Sequence, residues 1–261
     1  MPKEPRNTKT TNNMEEIFFP SSKDLVNITY ADYTGMPHII EKIEAIGRVS
    51  YEKFYIVDLF RSTFVYVSDD FSNLCGLTRN EVQGLGFRFY NDCIPEDDKK
   101  MLNDMIAKAS SFCDTLIKDG KENFTIYCDF HLSDGIQQQL INHQVTPLAI
   151  KDGRTWLALC AVSISPNHTP GNLTVKEDRS RILHKYDKSN KEWKCTRIPR
   201  LNPLEHSVLR LTAQGMKMED IACRLNKSLD TIRSCKRNLF KKLCVKNISE
   251  AITFVQTYKL M

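Results

Sequence analysis

Residues 123–132 read Asn-Phe-Thr-Ile-Tyr-Cys-Asp-Phe-His-Leu, and their side chains alternate in polarity with a period of two. One row is apolar and consists of Phe124, Ile126, Cys128, Phe130 and Leu132. The other row is Thr125, Tyr127, Asp129 and His131. Such alternation is typical of a β-strand with one buried face. The stretch therefore predicts a strand whose apolar row, from Phe124 to Phe130, points inward.

Similar patterns on both sides of this strand extend it into a sheet. Five strand-like runs occur up to residue 165: Phe54–Leu59, Phe64–Ser68, Asn123–Leu132, Gln138–Ile150 and Thr155–Ser165. The turn signals Ser133-Asp-Gly135 and Lys151-Asp-Gly153 separate the last three, as in a meander. Two strands, a helical segment and three more strands predict an antiparallel sheet with helices on one side, an α+β fold.

The predicted helices lie before and between these strands. Pro37 begins one whose isoleucines recur at helical spacing, at 39, 40, 43 and 46. Short helical segments follow at Asp70–Leu74 and Thr78–Gln83. Pro95-Glu-Asp-Asp98 begins a longer helix, and we interpret Asp97 and Asp98 as favourable negative charge in its first turn.

This order of elements, with Ser68-Asp-Asp-Phe-Ser-Asn-Leu-Cys-Gly-Leu-Thr-Arg-Asn-Glu-Val-Gln-Gly84 and Ile94-Pro-Glu-Asp97, resembles a PAS sensor domain. The resemblance covers about Pro37 to Ser165. It implies a domain that senses a signal or mediates dimerisation.

Charge divides the chain unevenly. Pro199–Met261 contains 12 Lys and Arg against 5 Asp and Glu, a net of +7, whereas residues 1–198 have 25 against 27, a net of −2. A basic module attached to a near-neutral body suggests a polyanionic partner.

The basic module has the start and stop signals of short helices. Asn202, Pro203 and Glu205 form a capping sequence, and Gly215 ends the first helix. A second helix is predicted at about Met218–Leu225, and Ser228 caps a third that reaches about Leu243. Two helices joined by a turn, the second of them basic, predict a helix-turn-helix.

The third helix has an apolar face formed by Ile232, Cys235, Leu239 and Leu243. The opposite side supplies most of the candidate DNA-binding residues, which with the flanking lysines are Arg233, Ser234, Arg237, Asn238, Lys241, Lys242 and Lys246. Arg and Asn can pair with guanine and adenine edges, while Lys242 and Lys246 suit phosphates. An ordinary amphipathic helix with a solvated basic face is the alternative.

A longer pattern resembles the LuxR-type helix-turn-helix, which reads LTxxE, Gly, EIA, LxxS, TVK and KL. The matching residues are Leu201-Asn-Pro-Leu-Glu205, Leu209, Gly215, Ile221-Ala222, Leu225, Ser228, Thr231-Ile232-Arg233 and Lys242-Leu243. The resemblance implies sequence-specific binding of double-stranded DNA, with Arg233, Ser234 and Arg237 at base-reading positions.

The same resemblance implies a fourth helix that supports dimerisation and carries Ile248, Ala251, Ile252 and Val255. We therefore expect a homodimer that uses this helix or the one at Pro37–Ile46. This sequence departs from the family at Lys217, which replaces a Ser-type helix cap, and at Cys235, which replaces a common His.

We expect no cofactor. Glu81–Phe89 is similar to the flavin segment of light-sensing LOV domains, but Phe87 stands where those domains need a cysteine. Haem needs an axial ligand, usually His, and neither His131, in the polar row, nor His143 is a convincing one. We interpret His143 as a hydrogen-bonded core or rim residue. The interior around Phe87, Phe89, Met101 and Met105 is expected to be a filled core, with a small-molecule pocket as the alternative.

The function predicted is DNA-binding transcription regulation in the cytoplasm, with RNA polymerase as a further candidate partner and no membrane segment. A sigma-factor-like protein is disfavoured because residues 124–132 alternate as a strand. An enzyme is disfavoured because catalytic motifs are missing, and nine irregularly spaced cysteines indicate neither a disulfide framework nor a metal site. A PAS protein-interaction module without specific DNA binding is the remaining alternative.

The predicted organisation is a polar N-terminal segment at 1–36, a PAS-like domain at 37–165, a connector with a β-hairpin at 166–199 and a helix-turn-helix domain at 200–261.

Overall fold

The computed structural model describes residues 28–165, 167–178, 180–258 and 260. The chain divides into two compact units. The first is Met1–Asp178 with Lys188–Lys191, and the second is Arg179–Asp187 with Glu192–Met261. The predicted α+β class is confirmed, because strands dominate the first unit and helices the second.

An antiparallel sheet forms the body of the first unit. Its strands are β1 (Lys53–Asp58), β2 (Thr63–Val67), β3 (Phe124–Ser133), β4 (Gln138–Lys151), β5 (Arg154–Ile164) and β6 (Gly171–Glu177). They lie in the order β2-β1-β5-β4-β3-β6, and every neighbouring pair is antiparallel. All five strands predicted from the sequence are therefore present within a few residues of their expected bounds.

Helices accompany this sheet on both of its faces. They are α1 (Met36–Gly47), α2 (Asp69–Ser72), α3 (Arg79–Leu85), α4 (Arg88–Cys93) and α5 (Glu96–Lys118). Met36 and Ile43 of α1 pack against Phe54, Ile56 and Leu157 in one buried cluster. Because α5 borders a cavity on the other face, the sheet is not covered from one side alone, as the sequence pattern had suggested.

The polar row of β3 is the main departure from the predicted alternation. Tyr127 and Asp129 are buried, whereas Ile126 in the apolar row is only half-buried. The reason is a sixth strand, since β6 pairs with β3 and lies inside the segment predicted as a connector. The domain boundaries predicted at 165 and 199 stay a proposal.

The N-terminal segment is described only from residue 28, so most of the predicted polar segment lies outside the described residues. Tyr30–Tyr33 form a 3₁₀ turn. The Tyr33 hydroxyl donates to Asp58 Oδ2 at 2.5 Å. This contact ties the start of the described chain to the end of β1.

The second unit begins with a hairpin of β7 (Ile182–Asp187) and β8 (Glu192–Arg197), as predicted. Four helices follow, α6 (Pro203–Ala213), α7 (Met218–Arg224), α8 (Leu229–Leu243) and α9 (Ile248–Thr257). Among the described residues of either unit, no helix is long and apolar enough to cross a membrane.

Candidate nucleic-acid interface and internal cavity

A capping box fixes the start of α6. Asn202 Oδ1 accepts the Glu205 backbone N–H at 2.8 Å, and Glu205 Oε2 accepts the Asn202 N–H at 2.7 Å. Pro203 occupies the first turn, where its missing N–H costs nothing. The capping sequence predicted from residues 202–205 is confirmed.

Glu205 has a second partner that the sequence did not reveal. Its side chain is 8% exposed, and the Lys242 ammonium donates to its two carboxylate oxygens at 2.9 and 2.7 Å. Lys242 was assigned to a DNA phosphate on sequence alone. The ion pair instead directs this ammonium to a buried carboxylate that joins α6 to α8.

The turn between α7 and α8 sets the position of the candidate recognition helix. Lys217 gives α7 no side-chain cap, as its departure from the family pattern predicted. Asn226 adopts a left-handed conformation, with φ at 50°, that reverses the chain after α7. Ser228 Oγ then accepts the Thr231 N–H at 3.2 Å and starts α8.

Two apolar clusters hold the four helices together. Val208, Leu211, Ile221, Ala222 and Ile232 form the one between α6, α7 and α8. Leu209, Leu239, Leu243, Ala251 and Val255 form the one that adds α9. Because α8 contributes to both, its orientation is fixed from two sides, and its opposite face is left to solvent.

That solvent-facing side carries a shallow depression, which we call the basic groove. It is lined by Arg233, Lys236, Arg237, Lys241 and Lys246 together with Met218, Phe240, Cys244 and Val245. Among the described residues, only Arg233 of these five cations has a carboxylate within 4.0 Å, that of Asp230 at 3.7 Å. Four of the five cations thus have no described carboxylate partner, so the groove concentrates positive charge.

Four of the seven predicted DNA-binding residues meet in the basic groove, namely Arg233, Arg237, Lys241 and Lys246. Asn238 is exposed and Ser234 half-buried on α8, but neither lines the groove. Lys236 lines it and was missed. Its ammonium lies 5.7 Å from the centre of the Phe240 ring. The four-residue spacing of Lys236 and Phe240 was the available signal.

The fourth helix contains the four residues that the family resemblance placed there. Ala251 and Val255 are fully buried within the domain. Ile248, Ile252 and Phe254 are half-buried on its flank. Ala251 and Val255 are therefore unavailable to a partner, and Ile248, Ile252 and Phe254 are the apolar side chains that α9 can still offer.

The first unit contains a cavity of about 370 Å³ between α5 and the sheet, which is partly open to solvent. Much of its apolar wall consists of Leu102, Met105, Phe124, Ile126, Phe130 and Val145. The expectation of a filled core is correct for Phe87 and Phe89, which pack against Phe64 and Tyr90. It is wrong for Met105, which borders open space.

A buried hydrogen-bonded group forms part of the cavity wall. His143 is 4% exposed, and its Nε2 lies 2.5 Å from the Tyr55 hydroxyl. The Tyr55 hydroxyl is in turn 3.1 Å from that of Tyr90. Burial lowers the pKa of His143 to about 3 and raises the pKa of both tyrosines well above 10. All three groups are therefore neutral at physiological pH, and the predicted core histidine is confirmed.

The other strand histidine belongs to a separate polar contact. Asp98 accepts the His131 backbone N–H at 2.6 Å and lies 2.9 Å from its Nδ1. Asp98 was interpreted as first-turn charge on α5, and this contact gives it a specific partner on β3. Among the described residues no three His, Cys, Asp or Glu side chains are grouped as metal ligands.

Asp129, the one carboxylate of β3, is completely buried, at 0% exposed. It accepts hydrogen bonds from the amides of Asn142 at 2.9 Å, Asn167 at 2.7 Å and Asn172 at 2.8 Å. These donors come from β4, from the segment after β5 and from the start of β6. One carboxylate thus fixes three parts of the chain, and we call this group the Asp129 cluster.

Comparison with known proteins bears on both units. Residues 200–255 match the family model described as bacterial regulatory proteins, luxR family. The transcriptional regulatory protein RcsB of Escherichia coli K12 is 28% identical over 173 residues, which are 63% of this chain and 75% of RcsB. RcsB of Salmonella typhimurium matches to the same extent.

Solved structures also align along most of the chain, at low similarity. A phage VqmA–DPO complex aligns with a TM-score of 0.33 and 16% identity, over 89% of this chain and 94% of that one. A VqmA–ligand–DNA complex of Vibrio cholera gives 0.32 and 15%, over 82% and 85%. Likeness at this level does not extend the description of the fold given above.

Proposed function

We propose that this chain is a transcription regulator that binds a specific sequence of double-stranded DNA, because residues 200–255 match the family model described as bacterial regulatory proteins, luxR family. The basic groove supports the proposal most directly. It brings five cations together, four of them on the second helix of the helix-turn-helix, and that helix enters the major groove in proteins of this kind.

The proposed contacts divide by chemistry. Arg233 and Arg237 are exposed and one turn apart, so both can reach base edges where a guanidinium forms paired hydrogen bonds to guanine. Ser234 and Asn238 stand beside them as further candidates. Lys236, Lys241 and Lys246 are point charges at the rim and suit phosphates. Lys242 is not included, because Glu205 holds its ammonium.

We propose further that the chain acts as a homodimer in the cytoplasm. One recognition helix reads a short half-site, and a two-fold symmetric pair doubles the sequence that is read. The half-buried Ile252 and Phe254 on α9 and the exposed Ile46 on α1 are the described apolar residues that support this.

The cavity supports a sensor role for the first unit. Its volume of about 370 Å³ lies within the range of small-molecule sites, and its walls are largely apolar with a few polar groups. We propose that a small molecule occupies it and that its binding regulates the DNA-binding unit. No catalytic step is part of this function.

The experiment that tests the function is a binding titration after selection of genomic fragments by the purified chain. Arg237→Ala is expected to weaken binding of the selected duplex by about 1–3 kcal/mol and to relax specificity at one position. Binding to a scrambled duplex should change much less. Equal losses on both duplexes would refute base reading by Arg237.

Salt dependence separates the phosphate contacts from the base contacts. Lys246→Ala should weaken both duplexes alike and reduce the slope of log K against log salt by about one counterion. Arg210→Ala is the matched control, since Arg210 is exposed on α6 and does not line the groove. If Arg210→Ala weakened DNA binding as much as Lys246→Ala, the domain would attract DNA through its overall charge and would have no defined interface.

A further inference from the structure

The hairpin that precedes the helix-turn-helix is rich in positive charge. Residues 181–200 contain seven Lys and Arg against two Asp and Glu, a net of +5 in 20 residues. Residues 201–261, which contain the four helices, have 11 against 5, a net of +6 in 61 residues. Strands β7 and β8 belong to the same compact unit as those helices. The hairpin segment therefore has more than twice the net charge per residue of the helices that the proposed function assigns to DNA.

Part of this charge is compensated within the hairpin. The Lys194 ammonium lies 2.5 Å from Asp187 Oδ2 and 3.8 Å from Glu192 Oε1. The turn at 188–191 belongs to the first unit, so its lysines are not part of this surface. Three further cations are exposed and, among the described residues, have no carboxylate within 4.0 Å, namely Lys185, Arg197 and Arg200.

The base of the hairpin is fixed to the start of the helical domain. We call Arg181 and residues 197–200 the hairpin root. The Ile198 N–H donates to the Arg181 carbonyl at 2.6 Å. The Arg181 guanidinium donates in return to the carbonyl oxygen of Ile198 at 2.9 Å and to that of Pro199. Because Ile198 is also buried, at 3% exposed, the backbone that carries Arg200 is held in place on one side by the hairpin.

The hairpin root continues into the part of the domain that contains the basic groove. Leu201 packs against the apolar cluster that includes α9, and so do Phe240 and Val245, which line the groove. Glu205, in the first turn of α6, holds the ammonium of Lys242 near the end of α8. The positive charge of the hairpin root therefore extends that of the basic groove beyond the C-terminal end of α8.

We propose that Arg197 and Arg200 form a second DNA contact, in which the hairpin root lies against phosphates just outside the base pairs that α8 reads. The proposal rests on the proposed function and extends it to an element outside the helix-turn-helix. A guanidinium can form paired hydrogen bonds to a phosphate. The two arginines are three residues apart, so their Cα atoms are separated by at most about 11 Å. A DNA strand has one phosphate for about every 3.4 Å of its axis, so both can reach the same strand.

Lys185 provides a control within the same hairpin. Arg197 pairs with Ile182 of β7, and Lys185 is three residues further along that strand, so its side chain projects from the opposite face. It also lies about 10 Å further from the hairpin root. Lys185→Ala removes the same charge without removing the proposed contact, and it therefore separates a defined contact from general attraction.

The test is a double cycle with the full-length chain and the duplex selected from genomic fragments. One form of the duplex has ordinary phosphates outside the recognised base pairs, and the other has neutral methylphosphonates there. Arg197→Ala with Arg200→Ala should bind the ordinary form at least about tenfold more weakly than the native chain does. Its slope of log K against log salt should fall by about one counterion for each arginine. On the methylphosphonate form the two proteins should bind alike.

The controls use exposed positions, so the fold should be unaffected. Lys185→Ala should bind both forms as the native chain does. Arg197→Lys with Arg200→Lys keeps both charges and should keep the native salt slope. The proposal would be overturned if the double Ala variant lost affinity equally on both forms or lost none. A loss in Lys185→Ala as large as in the double Ala variant would also overturn it.

The hairpin contact and the proposed function can fail separately. Phosphates carry no sequence information, so the smaller salt slope of the double Ala variant should also appear on a scrambled duplex. If the native chain bound selected and scrambled duplexes alike and this difference persisted, sequence-specific binding would be refuted and the hairpin contact would stand. If Arg237→Ala relaxed specificity as expected and the double Ala variant bound like the native chain, the hairpin contact alone would be refuted.

Discussion

Lys242→Ala is expected to lower the free energy of unfolding of the helical unit by about 3 kcal/mol, because it leaves a buried carboxylate without its cation. The Glu205 side chain is 8% exposed and receives two hydrogen bonds from Lys242. Its remaining partner is the backbone N–H of Asn202. The Lys242 side chain is itself one-third exposed, which is why we expect a loss at the lower end for a buried pair.

Lys241→Ala is the natural control for this variant. It removes the same charge one residue away, from a side chain that lines the basic groove and has no described carboxylate partner. Its stability should stay within about 0.5 kcal/mol of the native value. Hydrogen exchange of the α6 and α8 amides in the full-length chain would measure both variants within this unit.

The double variant Glu205→Gln with Lys242→Met tests whether the unpaired Glu205 carboxylate causes the loss of stability in Lys242→Ala. It replaces the ion pair by neutral groups of similar size and should recover much of the lost stability. If Lys242→Ala and Lys241→Ala had the same free energy of unfolding, the ion pair would contribute nothing to stability. Lys242 would then again be a candidate for contact with a DNA phosphate.

Asp129→Ala should destabilise the first unit by a similar amount, about 3 kcal/mol, since three amide groups lose their common acceptor. Asn142 is buried at 6% exposed and cannot turn to water, whereas Asn167 is exposed. The loss should therefore be accompanied by faster hydrogen exchange in β6 and in the residues just before it.

The control for Asp129 is Asp104→Ala, which removes a carboxylate from an exposed position on α5. It should leave urea unfolding of the full-length chain unchanged within about 0.5 kcal/mol. Asp129→Asn keeps one accepting oxygen and should give an intermediate result. A stability of Asp129→Ala equal to that of Asp104→Ala would show that the Asp129 cluster is not a net stabilising contact.

The strands and helices could largely be predicted from the sequence because local patterns specify them. The alternation at Phe124–Leu132 identified β3, and Asn202, Pro203 and Glu205 identified the start of α6. Each depends on neighbours within a few residues, so periodicity and capping chemistry suffice.

Burial of the polar row of β3 could not be predicted in this way. Asp129 is buried because Asn167 and Asn172 reach it from residues about 40 positions later in the chain. Strand β6, which contains Leu173 and Val175, was hidden in a segment with Pro170 and Gly171, whose turn signals dominated the pattern. Long-range pairing of this kind leaves little trace in a local window.

The candidate interface was predicted in part for the same reason. Arg233, Arg237 and Lys241 are spaced four residues apart, so helical periodicity alone places them on one face. Lys242 also lies near that face, and only the position of Glu205 on another helix shows that its ammonium is engaged. The cavity needed the structure, because sequence composition does not distinguish a filled core from an open one.

The burial of His143 also has a consequence for how the fold responds to acid. In the folded chain its pKa is about 3, whereas an unfolded chain takes up this proton near the ordinary value of 6.5. Between these two values the unfolded state binds a proton that the folded state excludes. The free energy of unfolding should thus fall as the pH drops below 6.5, by at most about 1.4 kcal/mol for each pH unit. Burial of this hydrogen-bonded imidazole therefore makes the first unit less stable in acid.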